Sequence, residues 1–453
     1  MLFILASAVL LILSFPNFNL SYLVFIGFVP LFFAIEDKPP KIAFVISYIS
    51  GFIFYMGVLY WLYHVTVIGL VILCLYLALY FGILGLCCYQ LKAYSLKLIA
   101  VPLIWSFLEY LQSHLFTGFG WALLGYSQYR NIPLIQIADF SGVYGVSFVI
   151  MMVNYVIYRA LKKSFREMII AAIVVTIVIG YGIARLNNSR GLEKDIRISV
   201  IQGNIPQELK WDPDAAEMII KKYTSLTKKA SLGKPDLIVW PETSFPGFFE
   251  SDEELRIPIL RLAKEIKIPI LLGANSEDDS VYFNSAILIS RLGNPVARYD
   301  KIHLVPFGEY VPFSHKFPVL HKLVLGELGE FTPGKDFKVF KLTAYSLKLT
   351  ADFGVLICFE DIFPELSRRF VKNGARFLIV ITNDAWYGRS GAAYQHAACS
   401  VFRAIENRVP VVRCANTGYS CFIDSKGRIY DSVEEKDTRL FITGYKTSLV
   451  SIK

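Results

Sequence analysis

Charged residues are scarce in this chain of 453 residues. Asp, Glu, Lys and Arg together make up 18% of it, whereas 55% of the residues are hydrophobic. Soluble globular domains carry about 25% charged residues. The low charge excludes a single soluble globular protein, and the high apolar content excludes a disordered chain, which cannot bury enough apolar surface to fold.

Histidine and paired cysteines are also rare. The chain has six histidines and seven cysteines, with no C-x-x-C pair and no cluster of histidines. Structural zinc sites need such sets of ligands at short spacing. The sequence therefore argues against a zinc site, and we expect no metal in the protein.

The net charge of +9 is unevenly distributed. Residues 1–190 hold only eleven basic and five acidic residues, so they carry +6 of the surplus, mostly on the loops between apolar runs. A basic balance can indicate a nucleic-acid partner, but lysines and arginines in such loops orient membrane helices. We therefore expect a membrane and no nucleic acid as a partner.

Seven apolar runs in this half predict membrane helices, because about 20 mostly apolar residues cross the hydrocarbon core. The first two runs are short and flank Pro16 and Asn17, so they are either tilted spans or a helical hairpin that enters part-way. No basic segment follows Met1 and no A-x-A site follows, so we expect the first run to be retained rather than cleaved as a signal peptide. The predicted spans are residues 2–15, 20–35, 42–63, 65–89, 96–111, 140–158 and 168–183.

The loop charges predict the orientation of these helices. Alternate loops collect eight basic residues, four of them between residues 159 and 166, whereas the opposite set holds only Arg130. Cytoplasmic loops are enriched in Lys and Arg. We therefore expect the N-terminus inside and everything after the last span outside, which is the periplasm in a bacterium with an outer membrane.

From Ile196 onward, short β-branched runs alternate with charged helical stretches, a pattern typical of an α/β domain. We expect a transmembrane helical domain over residues 1–186, a linker over 187–195 and a catalytic domain over 196–453. The strand candidates are residues 197–202, 237–240, 268–272, 285–290, 295–299, 354–358, 377–382, 409–413 and 421–424.

Three reactive side chains follow predicted strands of this domain. Cys358 ends an apolar strand, Glu242 follows another and Lys301 follows a third. Strand ends are where α/β folds place their sites. A cysteine there can be a nucleophile, a glutamate its base and a lysine the partner of a developing oxyanion. Taken singly, each also has a structural explanation, as a core thiol, a residue near a helix start and a surface charge.

These three residues lie among a series of short motifs. The motifs are residues 125–128 (GYSQ), 142–147 (GVYGVS), 202–207 (QGNIPQ), 210–212 (KWD), 240–243 (WPET), 299–312 (YDKIHLVPFGEYVP), 357–361 (ICFED), 382–388 (TNDAWYG), 395–396 (QH), 403–404 (RA), 406–408 (ENR) and 416–420 (NTGYS). The motifs of the second half resemble the nitrilase, or carbon–nitrogen hydrolase, superfamily. With the apolar half included, nearly the whole chain resembles the apolipoprotein N-acyltransferase family.

The resemblance implies a nitrilase-like α-β-β-α sandwich and a set of roles. Cys358 would be the nucleophile, Glu242 the general base and Lys301 the group that stabilises the oxyanion and the thiolate. Glu309 would be a second required glutamate, and Trp211 and Glu360 match further functional positions of the family. Phe359 stands where the family usually has tyrosine, which removes one hydroxyl.

The reaction that the resemblance implies is acyl transfer in two steps. An acyl chain passes from a phospholipid to Cys358, and then from the thioester to the N-terminal amine of a diacylglyceryl cysteine on an apolipoprotein. No metal or other cofactor is implied, because a thioester keeps most of the acyl-transfer potential of the ester. We expect a monomer in the bacterial inner membrane, with the catalytic domain in the periplasm.

Other classes of protein remain open at this point. A membrane-anchored amidase that hydrolyses a small amide would need the same three residues. A channel or transporter with an external domain would need charged or broken helices in the apolar half, and an enzyme of polyprenyl sugars would need acidic metal-binding motifs. Family members commonly end with one more membrane helix, whereas this chain ends at Lys453 after a strand-like tail.

Overall fold

A computed structural model describes residues 1–90, 97–162, 166–188, 194–312, 331–344 and 349–452. Contacts divide the chain into two compact units. The helical unit comprises Met1–Arg190 and Tyr387–Glu406, and the sheet unit comprises Gly191–Trp386 and Asn407–Lys453. The predicted linker lies largely outside the described residues, because 189–193 are not among them.

The helical unit is built from apolar helices and from one segment of the second half of the chain. Pro40 stands at the start of α3, where a missing N–H costs nothing. Gly142 breaks α7 with φ 63° and ψ −170°, a conformation that suits glycine. The helices are α1 Leu2–Ser14, α2 Val29–Ile35, α3 Pro40–Val58, α4 Val67–Gln90, α5 Lys97–His114, α6 Ile132–Ile135, α7 Ala138–Leu161 and α8 Arg166–Asn187.

The prediction of seven spans is wrong in number. Within the described part of the chain, four helices are long and apolar enough to cross a membrane, namely Pro40–Val58, Val67–Gln90, Ala138–Leu161 and Glu167–Asn187. Helix α1 has 13 residues and is therefore about 20 Å long, shorter than the hydrocarbon core of about 30 Å. The second run breaks into a 3₁₀ turn and the seven-residue α2. Polar side chains such as Glu109 and Gln112 lower the apolarity of helix α5, which contains most of the fifth run.

Several buried polar side chains in the helical unit are hydrogen-bonded, as apolar surroundings favour. The Asn154 amide on α7 donates to the carbonyl groups of Val24 and Ile150 and accepts from the N–H of Phe28. Glu109 accepts from the Trp105 indole at 3.0 Å and from the N–H of Leu124 at 2.7 Å. These bonds join irregular backbone between the helices to the helices themselves.

Gln395 is the most fully paired of these side chains. Its Oε1 accepts from the indole N–H of Trp61 at 3.1 Å and of Trp121 at 2.9 Å. Its Nε2 donates to the carbonyl groups of Pro16 at 2.9 Å and Val58 at 3.1 Å. One buried amide thus ties the segment Tyr387–Glu406 to three other parts of the helical unit.

The sheet unit contains two six-stranded sheets in the orders β12-β1-β2-β3-β4-β5 and β11-β10-β9-β8-β7-β6. In the first sheet β1, β2 and β3 run parallel, and in the second β7, β8 and β9 run parallel. The strands are β1 Lys194–Gln202, β2 Leu237–Val239, β3 Ile270–Asp278, β4 Val281–Ile289, β5 Pro295–Asp300, β6 Phe340–Ala344, β7 Leu349–Ile357, β8 Phe377–Thr382, β9 Val411–Ala415, β10 Cys421–Ile423, β11 Ile429–Ser432 and β12 Gly444–Ile452.

Helices cover the sheets, and the sheets pack against each other. Apolar residues of α9 (Pro213–Ser231) and α10 (Glu253–Ile266) form one core with the first sheet. Gly354 on β7 lets Phe370 of α11 (Pro364–Lys372) approach the second sheet closely. Between the sheets, the Cys414 thiol on β9 donates to the Ile201 and Val239 carbonyl groups. The predicted α-β-β-α sandwich is confirmed. The last helix, α12 (Ala392–Asn407), belongs to the helical unit up to Glu406.

Replacing Gln395 by leucine tests the role of this amide. Gln395→Leu leaves two indole N–H groups and two carbonyl groups without their partner, and each such buried group costs about 1–3 kcal/mol. We expect a clear fall in Tm of the detergent-solubilised protein. The matched control is Gln90→Leu, at an exposed position of α4, which should leave Tm unchanged. Equal Tm values for the two variants would contradict the assigned role.

Candidate active site

The three residues predicted to react lie together in the sheet unit. Glu242 follows β2, Lys301 follows β5 and Cys358 follows β7. Lys301 Nζ lies 3.6 Å from Glu242 Oε1. Both charges shift the pKa of the Cys358 thiol: Glu242 raises it and Lys301 lowers it. The ends of strands from two different sheets therefore converge on one site.

Cys358 has an unusual backbone conformation. Its φ is 53°, in the left-handed region, and it begins the 3₁₀ turn Cys358–Ile362. A residue other than glycine is strained there, and such strain is concentrated at functional sites. The side chain is only 6% exposed, so the thiol points into the protein rather than into solvent.

The thiol of Cys358 is protonated at neutral pH. Burial raises its pKa well above the ordinary value and the Glu242 carboxylate raises it further, while Lys301 and a hydrogen bond with Thr382 lower it. The thiolate is the reactive form of cysteine. Chemistry at this sulfur therefore needs a base at hand to remove the proton.

Lys301 keeps its positive charge despite being 1% exposed. Burial alone would lower its pKa, but the carboxylates of Glu309 and Glu242 raise it above the usual lysine value. The shorter of the two ion pairs joins Lys301 Nζ to Glu309 Oε1 at 2.9 Å. A fixed cation in a dry site stabilises negative charge far better than one in water.

The carboxylate of Glu242 is held at both oxygens. Oε1 accepts from Asn284 Nδ2 at 2.9 Å, and Oε2 accepts from the backbone N–H of Asn383 at 2.9 Å. Asn284 on β4 also donates to Glu309 Oε1 at 2.8 Å. The sequence analysis did not identify Asn284 as a site residue. An amide side chain within an otherwise apolar strand was the feature that could have indicated it.

Glu309 lies beside Lys301. Its Oε1 receives bonds from Lys301 and Asn284, and its Oε2 accepts from the N–H of Val305 at 2.7 Å. Because Glu309 lies 2.9 Å from Lys301 Nζ and Glu242 lies 3.6 Å from it, Glu309 is the carboxylate that holds the lysine more closely.

Glu360 connects two sides of the site. It is fully buried, and it accepts from the Tyr299 hydroxyl and from the N–H groups of Ile302 and His303 on the Lys301 loop. It also accepts from the N–H of Ile357, directly before Cys358. This carboxylate therefore ties the lysine loop to the cysteine turn.

Phe359 and Trp211 lie outside the charged cluster. The Phe359 ring is buried against His303 and Phe363. Trp211 lies on the turn before α9 and is 38% exposed. None of its described contacts joins it to Cys358, Glu242 or Lys301.

A buried arginine that the sequence did not indicate supports the cysteine turn. Arg413 on β9 pairs with Asp361 at 3.1 Å and with Asp384 at 3.2 Å, and all three side chains are buried. Asp384 in turn raises the pKa of Cys358. Within the described ranges, no group of three or more His, Cys, Asp and Glu side chains is arranged to hold a metal.

Alkylation of Cys358 by iodoacetamide tests this electrostatic arrangement. Because burial raises the thiol pKa, we expect the rate to reach half its maximum above pH 9.0, the ordinary cysteine value. Glu242→Gln removes a negative charge and should lower that midpoint, whereas Lys301→Met removes a positive charge and should raise it. Intact mass spectrometry gives the rate, with Cys358→Ala as the background. A midpoint at or below the ordinary value, or equal midpoints in the two variants, would refute the arrangement.

Comparisons with known proteins show the family to which the chain belongs. Residues 7–156 match the apolipoprotein N-acyltransferase N-terminal domain, and residues 197–447 match the carbon-nitrogen hydrolase family. An apolipoprotein N-acyltransferase of Geobacter metallireducens is 42% identical over 449 residues, which cover 93% of this chain and 85% of that protein. One from Aquifex aeolicus is 31% identical and covers 95% of both chains.

Among solved structures, an amidase of the nitrilase superfamily from Nesterenkonia AN1 is similar to 58% of this chain and 93% of its own length. Its sequence identity is 18% and the TM-score is 0.43. The two family matches together run over most of the described residues of both units, and the curated relatives extend along nearly the whole chain. This chain is a membrane enzyme that belongs to the apolipoprotein N-acyltransferase family.

Proposed function

We propose that this protein transfers an acyl chain from a phospholipid, through a thioester on Cys358, to the N-terminal amine of a diacylated apolipoprotein. One observation carries the proposal, namely the convergence of Glu242, Lys301 and Cys358 in a buried site of a chain with membrane-spanning helices. The names of similar proteins, which are apolipoprotein N-acyltransferases, support the same activity.

The first half of the reaction forms the thioester. Glu242 accepts the proton of the Cys358 thiol, and the sulfur forms a bond to the carbonyl carbon of the phospholipid ester. The resulting oxyanion lies against the Lys301 ammonium. The carbon–oxygen bond then breaks, Glu242 returns the proton to the departing alkoxide, and the lysophospholipid leaves.

The second half consumes the thioester. The neutral amine of the acceptor forms a bond to the thioester carbon, and Glu242 accepts a proton from that nitrogen. The carbon–sulfur bond breaks and the proton returns to Cys358, so the enzyme regains its starting state. One base serves both halves, because each half moves one proton from the nucleophile to the leaving group.

The supporting residues have roles that follow from their contacts. Glu309 fixes the Lys301 ammonium, and Glu360 holds the lysine loop against the cysteine turn. The exposed Trp211 indole is suited to contact with a lipid substrate, and the Phe359 ring packs against His303 and Phe363 beside the cysteine turn. We further propose that the protein acts as a monomer in the bacterial inner membrane, with the sheet unit in the periplasm.

Intact mass spectrometry with phospholipid alone tests the mechanism. We expect a covalent adduct of one acyl chain on Cys358, which a diacylated lipopeptide removes much faster than water does. Cys358→Ala should form no adduct. Cys421→Ala, at a buried thiol of β10, is the matched control and should react like the wild type. An adduct on the Cys358→Ala protein would sink the thioester mechanism.

The same measurement separates the proposed transferase from a membrane-anchored amidase. An amidase would pass its acyl group to water, so loss of the adduct would be equally fast with and without lipopeptide. Full dependence on the lipopeptide amine therefore supports the transferase, and independence from it supports the hydrolase.

The orientation is tested with inserted protease sites in spheroplasts. A site after Lys162 lies at one end of α8 and a site after Ser189 follows its other end. We expect externally added protease to cut only the second site, because basic loops remain in the cytoplasm. A site after Lys436, on an exposed loop of the sheet unit, should behave like the second. Cleavage after Lys162 in intact spheroplasts would reverse the proposed orientation.

A further inference from the structure

A second buried lysine lies beside Glu242 and has no part in the mechanism above. Lys210, directly after the 3₁₀ turn Gln207–Leu209, is 4% exposed. Its Nζ donates to the backbone carbonyl of Glu242 at 3.0 Å and to the Thr243 hydroxyl at 2.9 Å. Among the residues that the structure describes, no carboxylate oxygen lies within ion-pair distance of this ammonium. A buried charge is costly without such a pair, so the presence of a lysine at this buried position needs an explanation.

Both acceptors of Lys210 belong to a turn that is strained. Thr243 has a φ of 43°, in the left-handed region that a β-branched residue avoids. A strained backbone conformation of this kind persists only when surrounding contacts hold the residue in it. The bonds from Lys210 to the two residues of this turn are contacts of that kind.

The strand β3 backs the same turn. A Cβ atom on Gly273 would lie 2.6 Å from Glu242 Cα and 2.8 Å from the Thr243 nitrogen. The N–H of Ser244 also donates to the Gly273 carbonyl at 2.9 Å. The turn is thus pressed against a glycine, and the position of the Glu242 side chain depends on how the turn is held.

The charge of Lys210 acts at the site as well. Burial lowers its pKa to about 7, while the nearby Glu242 and Cys358 raise it. Glu242, Lys301 and Asp384 shift the pKa of Cys358, and the Arg413 guanidinium also interacts with this thiol. Lys210 adds a further positive charge beside the Glu242–Cys358 pair, and this charge is lost as the pH rises through neutrality.

We propose that Lys210 is a positioning residue for the general base: it holds the Glu242–Thr243 turn in its strained form and maintains a positive charge beside Glu242 and Cys358. This inference rests on the proposed function, because the positioned group is the base of that reaction. Lys210 acts through Glu242 and touches neither the acyl chain nor the acceptor.

Single-turnover formation of the Cys358 thioester with phospholipid tests the proposal on the full-length protein in detergent. Displacing a reacting group by about 1 Å can cost on the order of 100-fold in rate. We expect Lys210→Met to lower the maximal rate of thioester formation by about 100-fold. The phospholipid concentration that gives the half-maximal rate should change little.

The pH dependence of the thioester-formation rate is a second measurement, and a variant that had only lost packing contacts would not change it. The Lys210 ammonium is charged below about pH 7, where it favours loss of the Cys358 proton, and neutral above it. The rate deficit of Lys210→Met should therefore be larger below neutral pH than above it. Lys221→Met is the matched control, at an exposed lysine of α9, and should retain the wild-type rate and profile. A Lys210→Met protein with the wild-type rate and pH profile would overturn the proposal.

A second pair of variants keeps the test decisive if Lys210→Met does not fold. Thr243→Val removes one acceptor of Lys210 and preserves the shape of the side chain, while Thr243→Ser retains the hydroxyl. We expect a smaller rate loss in Thr243→Val and near wild-type rates in Thr243→Ser. Equal rates in the two would overturn the proposal.

Failure of this inference can be told from failure of the proposed function. If Cys358→Ala forms no thioester but Lys210→Met reacts normally, only the role of Lys210 is wrong. If Cys358→Ala still transfers acyl chains, the mechanism itself is wrong, whatever Lys210→Met does.

Discussion

The sheet unit depends on burying the Lys301 ammonium next to a cysteine. An isolated charge in a dry interior is strongly unfavourable, so the lysine must be paired and its partners must be bonded in turn. Glu309 at 2.9 Å and Glu242 at 3.6 Å supply the negative charge. Asn284 donates to both carboxylates and so fixes their positions relative to each other. The lysine, its two carboxylates and this amide thus hold a base and a cation beside one sulfur atom.

The same requirement for pairing shapes the rest of the protein. Glu360 satisfies four donors from the lysine loop and the cysteine turn, and Arg413 is buried between two aspartates. In the helical unit, Gln395 uses both donors and both lone pairs of its amide on backbone and indole groups. Each of these side chains joins segments far apart in sequence, so each ties secondary-structure elements into one arrangement.

Sequence reasoning predicted a large part of this. The contrast between the apolar and the ordinary halves, the α/β pattern and the three reactive residues at strand ends were all visible in the sequence. The predicted number of spans was wrong, because a hydropathy pattern does not show where helices break or how long they are. The second run contains only the seven-residue helix α2, and Glu109 interrupts the apolar sequence of α5. Asn284, Arg413 and the contacts of Lys210 were missed, because their partners lie more than 20 residues away along the chain.

By itself the sequence determined which residue types are present and where apolar runs, strand patterns and charged loops fall, because these depend on neighbours along the chain. Only the tertiary structure decided which carboxylate faces which lysine, and that Cys358 is buried with its proton in place. It also grouped Tyr387–Glu406 with the helical unit rather than with the sheets that flank it in sequence. The reason is physical: the pKa of a buried group and the stability of a buried polar contact are set by distances of a few ångströms between segments that the fold alone brings together.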